Sequence, residues 1–384
     1  MEIKQIYEIV NDATKQAIGD SVILSEDLSN IVDVGEAVLN ARSLDKYVSA
    51  LVDHIGRVIF VNRPYSGDAP SLLRDGWEYG AILEKIASDM PDAVENETWA
   101  LTDGASYDPN IFNAPNVYAK FYNKKTTFEI DRSICDRQVR SAFSGAAQLD
   151  AFTSMLFNEV DKSATVKTSE LIRRTIANMI GETFYDMNSG GTYTGSGNTR
   201  CINLLALYNT QYDKSLAAAD AIYDPDFIRF AVYYIGIYRS RMRSMSTLFN
   251  IGGKARFTPD NLLHIVMLAD FKAAADVFLQ SGTFNAQYTA LPNAETVSYW
   301  QGSGTGYGFS SISAISAKTV DGHTVTPSGI LAVMFDHDAC GVCNPDRRVT
   351  TNYNPKAEFT NYFYKFDAQY FNDFNENFVV FYVA

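Results

Sequence analysis

An α+β fold is predicted by three features of this 384-residue sequence. Apolar side chains keep helical spacing across residues 147–186, with no Gly or Pro between Ala147 and Ile180. Tyr362, Tyr364, Phe366, Ala368 and Tyr370 fall on every second position, with Lys365, Asp367 and Gln369 among the residues between them, as in a strand with one wetter face. Residues 56–135 read as extended segments punctuated by Pro, Gly and Asn. With 46% hydrophobic and 20% charged residues, the chain has the composition of two or three globular domains and a large core.

In chain order, residues 1–55 give three amphipathic helices. These are "EIKQIYEIVNDATKQAI", then "DLSNIVDVGEAVLNAR" with Asp27 able to cap it, then "SLDKYVSALVDHIGRVI" with Ser43 at its N-cap. They are too short to form a domain alone and must pack on something else. The stretch 56–135 suits a compact core poorly, because long structureless connections are uncommon inside one. An arm reaching onto a neighbour would resolve that difficulty.

The segment "AQLDAFTSMLFNEVDKSATVKTSELIRRTIANMIGETF" then carries Leu149, Phe152, Leu156, Val160, Ala164, Leu171, Ile172, Ile176, Met179, Ile180 and Phe184 at helical spacing. One helix of roughly 35 residues would run about 50 Å. The alternative is two core helices broken near "KSATVKTSE". A flexible linker, "NSGGTYTGSGNTR", follows, and after it "DPDFIRFAVYYIGIYRSRMRSM" and "TPDNLLHIVMLADFKAAADVFLQ" read as helices, the second with Thr258 as cap and Pro259 in its first turn. "SISAISAKT" and "GILAVMFD" read as strands. The last two elements, Tyr362–Tyr370 and the continuously apolar Phe378–Val383, read as a long hairpin around "NDFNEN", its end stapled into a core.

The formal net charge of -13 and pI near 4.8 argue against an electrostatic grip on nucleic acid. No apolar run approaches the roughly 18 residues of a membrane span, and the N-terminus has no signal-peptide core. Cys135, Cys201, Cys340 and Cys343 are too few for a disulfide framework in so long a chain, which fits a reducing compartment.

The sharpest motif is "HDACGVC", bringing His337, Cys340 and Cys343 together in sequence. Cys-x-x-Cys supplies two zinc ligands or a redox pair. A zinc site needs a fourth ligand, and His323 is a poor one; a redox pair should open a helix, yet "NPDRRV" reads as a turn. Plain packing is the stronger reading. "GSGTGYG", Gly302–Gly308, lacks dinucleotide-loop spacing and precedes strand-like "FSSISAI", and "TYTGSGNTR" lacks a Walker lysine. His264 and His54 sit in apolar helical stretches where a structural role is expected. Glu129, Asp131, Arg132, Asp136 and Arg137 in "EIDRSICDR" mix signs as salt-bridged surfaces do. No catalytic, cofactor or metal constellation emerges.

The order of elements resembles the major capsid proteins of tailed bacteriophages, whose Hong Kong 97 type fold has an N-terminal arm, an extended E-loop, a peripheral domain with a long spine helix, and an axial domain. By segment, 1–55 is similar to the helical arm and 56–127 to the E-loop. Residues 128–190, entered through "KKTTFEIDRSICDRQVRSAF", resemble the peripheral domain with its spine, and 191–345 the axial domain, through "FTPDNLLHIVMLADFKAAADVFLQ", "ALPNAETVSYW" and "PSGILAVMFDHDACGV". Residues 346–384 are the aromatic strands completing the core, and "NYNPKAEFTNYFYKFDAQYFNDFNENFVVFYVA" is similar to the endings of capsid proteins from phages of gut Firmicutes.

The resemblance implies a non-enzymatic shell subunit of the virion, assembled in the host cytoplasm as hexamers and pentamers into an icosahedral capsid around double-stranded DNA. It implies no cofactor and no membrane. Its partners would be itself, scaffold and portal proteins, and a decoration protein. No long charged N-terminal coiled coil of the fused-scaffold kind is present, which implies a separate scaffold or a cleaved extension. An encapsulin-like cargo compartment is the nearest alternative, and a zinc or redox protein using Cys340 and Cys343 the next.

Overall fold

The computed structural model describes residues 11, 15, 65–74, 83–93, 95, 103–104, 110, 112–135, 146–188, 199–280, 294–302 and 306–384. Apart from Asn11 and Lys15, the helices expected over 1–55 lie outside them, as do His54, Asp136, Arg137 and most of the "NSGGTYTGSGNTR" linker. In chain order the strands and helices are β1 (Leu73–Arg74), β2 (Leu83–Ser88), β3 (Val117–Tyr122), β4 (Lys125–Cys135), α1 (Ala146–Asn188), β5 (Cys201–Asn203), α2 (Leu204–Tyr212), α3 (Pro225–Met242), β6 (Leu263–Leu268), α4 (Ala269–Gln280), β7 (Ala294–Val297), α5 (Phe309–Ile312), β8 (Ala317–Lys318), β9 (Thr324–Val325), β10 (Ile330–Asp336), β11 (Cys340–Asn354), β12 (Phe359–Asn372) and β13 (Phe378–Tyr382).

Helix α1 is continuous for 43 residues, with no break at "KSATVKTSE". At 1.5 Å per residue it runs about 65 Å. The chain forms two compact units, one of residues 1–66, 129–165 and 348–365, the other of 67–128, 166–347 and 366–384. Within the first, Phe157 of α1 meets Tyr362 and Tyr364 of β12 edge-on at 6.3 and 6.4 Å, and Lys365 pairs with Glu129 of β4 at 3.0 Å. Of the charges in "EIDRSICDR", Glu129 is thus ion-paired with a residue of another strand.

The second unit is built on a five-stranded sheet of order β5-β13-β10-β6-β7. β10 is antiparallel to β13 and β6, while β5 and β7 add parallel strands at the edges. Both β10 and β13 are buried along their whole length, which explains their unbroken apolar sequences. Leu171, Ile172, Ile176, Met179, Ile180 and Phe184 of α1 enter the same core. Phe184 packs edge-on against Tyr382 at 4.9 Å, and Tyr238 of α3 against Phe381 at 5.5 Å. Helix α3 starts where Asp224 caps the amides of Asp226 and Phe227 and Pro225 opens the first turn.

Three expectations are corrected. β12 and β13 are not hairpin partners: β12 pairs with β11 and β4 in a sheet of order β1-β11-β12-β4, while β13 crosses into the five-stranded sheet. Alternation identifies a strand but not its partner, which is settled by distant residues. Next, "LLHIVML" is strand β6, so the helix expected from Thr258 begins only at Ala269. A short, wholly apolar run fits a buried strand and a buried helix equally. Thr258 is buried, its hydroxyl accepting from Asn377 Nδ2 at 3.1 Å. Finally, "FSSI" is the helical turn α5 rather than strand, and only Ala317–Lys318 of "SISAISAKT" is extended.

Candidate functional site

Strands β2 and β3 pair only with each other, forming a two-stranded antiparallel ribbon in register from Leu83↔Tyr122 to Ser88↔Val117. Burial alternates strictly along both "LEKIAS" and "VYAKFY", so each strand has two distinct faces. Both faces are mixed, with Leu83, Ala87, Tyr118 and Tyr122 beside the lysines on the covered side. Lys85 and Lys120, directly opposite each other, turn toward the subunit, while Ile86, Phe121 and Val117 point out, 65%, 64% and 56% exposed. Large apolar groups held in water on the other face are not placed there by their own subunit's hydrophobic effect.

The covered face rests on the turn between β12 and β13. Lys85 Nζ lies 2.8 Å from Asp373 Oδ2 and 2.7 Å from Glu376 Oε1, and Lys120 Nζ lies 2.9 Å from Asp373 Oδ1. Lys85 also donates to the Asp338 carbonyl at 3.3 Å. Asp373 is 2% exposed on its side chain and is held by its own turn, its amide donating to Ala339 O and its Oδ1 accepting from Asn375 N. Arg256 Nη2 donates to Tyr118 Oη at 2.7 Å, and its Nε lies 3.4 Å from Glu376. Lys254 pairs with Asp89 at 2.8 Å and lies over the Tyr118 ring. Tyr122 contacts Phe371 at 5.3 Å between ring centroids.

Burial works against the charge on Asp373, but the bonds from Lys85 and Lys120 outweigh it and hold the carboxyl below its ordinary 3.8. Lys85 is likewise penalised by burial, yet its bonds to Asp373 and Glu376 raise it above 10.5. Burial, with Asp373 alongside, pushes the Tyr122 phenol well above 10.0. Burial also lifts Glu376 above 4.5, because Lys85 and Arg256 offset it only in part.

The Lys85 and Tyr122 contributions are intact below the groups' ordinary values and fade as pH rises past them; that of Asp373 is lost as pH falls below 3.8. Glu376 acts oppositely, its ionised form carrying a cost that is relieved on acidification. Stability is therefore expected to fall above about pH 10 through Tyr122 and Lys85. Thermal unfolding between pH 8 and 11 checks this, with Tyr122→Phe expected to lose less on the alkaline side than wild type.

The residues singled out in sequence lie elsewhere. His337 occupies the turn between β10 and β11, its Nδ1 3.0 Å from Nε2 of His264, which sits on strand β6 rather than a helix and stacks on Phe335. Cys340 and Cys343 are buried thiols on β11. Three residues apart on one strand, they face opposite sides of the sheet, which suits packing and not a shared ligand. His323 stacks on Tyr185. Among the described residues no group of three or more His, Cys, Asp and Glu side chains is arranged to hold a metal ion. Sequence reasoning missed Lys85, Lys120, Asp373, Glu376, Ile86 and Phe121, because neither "LEKIAS" nor "VYAKFY" alternates apolar with polar residues.

A family model described as Phi29-like phage major capsid protein matches residues 6–382. The major capsid protein of Bacillus phage PZA is 21% identical over 379 residues, covering 94% of this chain and 69% of that protein. That of Bacillus phage B103 is 21% identical over 368 residues with the same coverage. Among solved structures, a chain of the Staphylococcus phage Andhra capsid superposes with a TM-score of 0.56 at 10% identity, covering 86% of this chain and 87% of that one. A chain from native bacteriophage P68, in a structure of its head fiber and an inner core protein, gives 0.56 at 9%, covering 86% and 88%.

Proposed function

The chain belongs to the Phi29-like phage major capsid protein family, and from that premise we propose that its β2–β3 ribbon is the arm by which one subunit overlies the next in the shell. As a family member the protein is a major capsid protein of a tailed phage, a component of the virion that assembles with itself. The observation carrying the proposal is the ribbon's exposed apolar face. Ile86, Phe121 and Val117 are held outward in register by a seat of opposite charge beneath them. Fully burying an Ile or Phe is worth roughly 1.5–3 kcal/mol, and a closed shell repeats that contact at every subunit.

In this reading the ribbon is the E-loop of a Hong Kong 97 type subunit and α1 its spine, and the five-stranded sheet with α3 and α4 belongs to the axial domain. Hexamers and pentamers of this subunit close an icosahedral shell around double-stranded DNA in the host cytoplasm, with scaffold and portal proteins, and a decoration protein, as further partners. The net charge of -13 suits a container whose wall should not grip its contents. The subunit acts by assembly, without catalysis. Negative-stain electron microscopy of the expressed chain, alone and with a candidate scaffold protein, tests this. Closed shells, tubes or rings of five or six are expected, and uniform single subunits under both conditions would contradict it.

A further inference from the structure

We propose that the ribbon is a strap whose order depends on its seat: Asp373 holds together two lysines that repel each other across the ribbon, and without that carboxylate the ribbon opens. The inference rests on the reading that the ribbon's outward face meets a second copy, since it says what keeps that face intact.

Lys85 and Lys120 are paired residues in the ladder. Like charges directly opposite on two strands destabilise the pairing, and an isolated two-stranded ribbon is marginal to begin with. Here each ammonium takes one oxygen of the same buried carboxylate, Lys85 the Oδ2 and Lys120 the Oδ1. Glu376 serves Lys85 and Arg256 but makes no ion pair with Lys120. The charged groups around the seat are Lys85 and Lys120 from the ribbon, Arg256 and Lys254 from the loop after α3, Asp373 and Glu376 from the turn beneath, Asp89 beyond β2, and Asp336 at the end of β10. Among the described ion pairs, Asp373 is the carboxylate that takes a lysine from each strand.

The outward face depends on that bridge. Glu84 opposite Phe121, Ile86 opposite Ala119 and Ser88 opposite Val117 form one surface only while the register holds. Opening the ribbon disperses Ile86, Phe121 and Val117 and removes the contact a second copy would use. Asp373 is thus a positioning residue for assembly, buried beneath the ribbon.

Hydrogen exchange on dilute, unassembled subunits tests this, with the amides of 83–88 and 117–122 measured against those of β10 and β13. Asp373→Asn should speed exchange in the ribbon about tenfold or more while leaving the reference strands unchanged. Adding Lys120→Gln to the same chain removes the repulsion and should restore most of the lost protection. An unchanged ribbon in Asp373→Asn, or no recovery in the double variant, would overturn the proposal. If Asp373→Asn also loosens the reference strands, Lys120→Gln alone decides the matter. It removes the repulsion while Asp373 keeps Lys85, so ribbon exchange should be no faster than in wild type, and a severalfold acceleration there would overturn the idea. Because the readout needs no shell, failure of the strap and failure of the assembly reading are distinguishable.

Discussion

Replacing Gly329 with Ala is expected to destabilise the subunit by about 3 kcal/mol or more. Gly329 stands just before β10 with φ +74, in the left-handed region. A Cβ there would lie 2.0 Å from the Val383 carbonyl oxygen and 3.1 Å from its carbonyl carbon and Cγ2. The neighbour cannot yield easily, because Val383 N donates to Gly329 O at 2.9 Å and β13 immediately before it is fully buried between β10 and β5. A left-handed backbone costs an L-residue roughly 1–2 kcal/mol, and forcing atoms into a packed core a further 1–3 kcal/mol. Against a typical total of about 5–15 kcal/mol that is a large share. Chemical denaturation of the two proteins checks it, and an unchanged midpoint would mean that the β10–β13 seam gives more readily than its packing indicates.

The terminal aromatic segment that dominates the sequence is thereby explained in part. Phe378–Tyr382 is a central strand of the main sheet, and Asn203 brackets Ala384 through its Nδ2 and Oδ1 while also capping α2 at Ala206 N. The alternation of Tyr362–Tyr370 and the unbroken apolar run of Phe378–Val383 were enough to recognise both strands. Their separate destinations were not legible, since the sheet a strand joins depends on residues far away in sequence. The long helix was readable because its period persists over some ten turns, whereas the six residues of β6 are too few to distinguish one period from another.

The ribbon marks a different limit. "LEKIAS" and "VYAKFY" show which residues share a face, but not which face is covered. Apolar residues fall on both faces of each strand, so composition does not decide which is inside. The lysines are held on the covered face by Asp373, more than 250 positions away from both ribbon strands, whose buried carboxylate offers them a better partner than solvent. Large apolar groups left in water are the kind of inconsistency expected where a surface serves something outside the subunit.

The second large effect follows from the same face. Ile86→Gln combined with Phe121→Gln alters two side chains that are 65% and 64% exposed in the subunit, so subunit stability should move by no more than about 0.5 kcal/mol per site. Assembly should suffer far more. Each interface would lose roughly 2–4 kcal/mol of apolar burial, since about two thirds of each side chain is left to cover, and would have to cover two amides that lack arranged partners. A shell of repeated contacts amplifies that loss, so closed particles should give way to free subunits.

Sedimentation velocity of wild-type and Ile86→Gln/Phe121→Gln protein, prepared identically and compared for the fraction of mass in shells, tests this account most directly. The ribbon's role predicts shells for wild type and folded, slowly sedimenting subunits for the variant, with unfolding midpoints that coincide. Shells of equal yield from both proteins would contradict it and place the contact between subunits elsewhere on the chain.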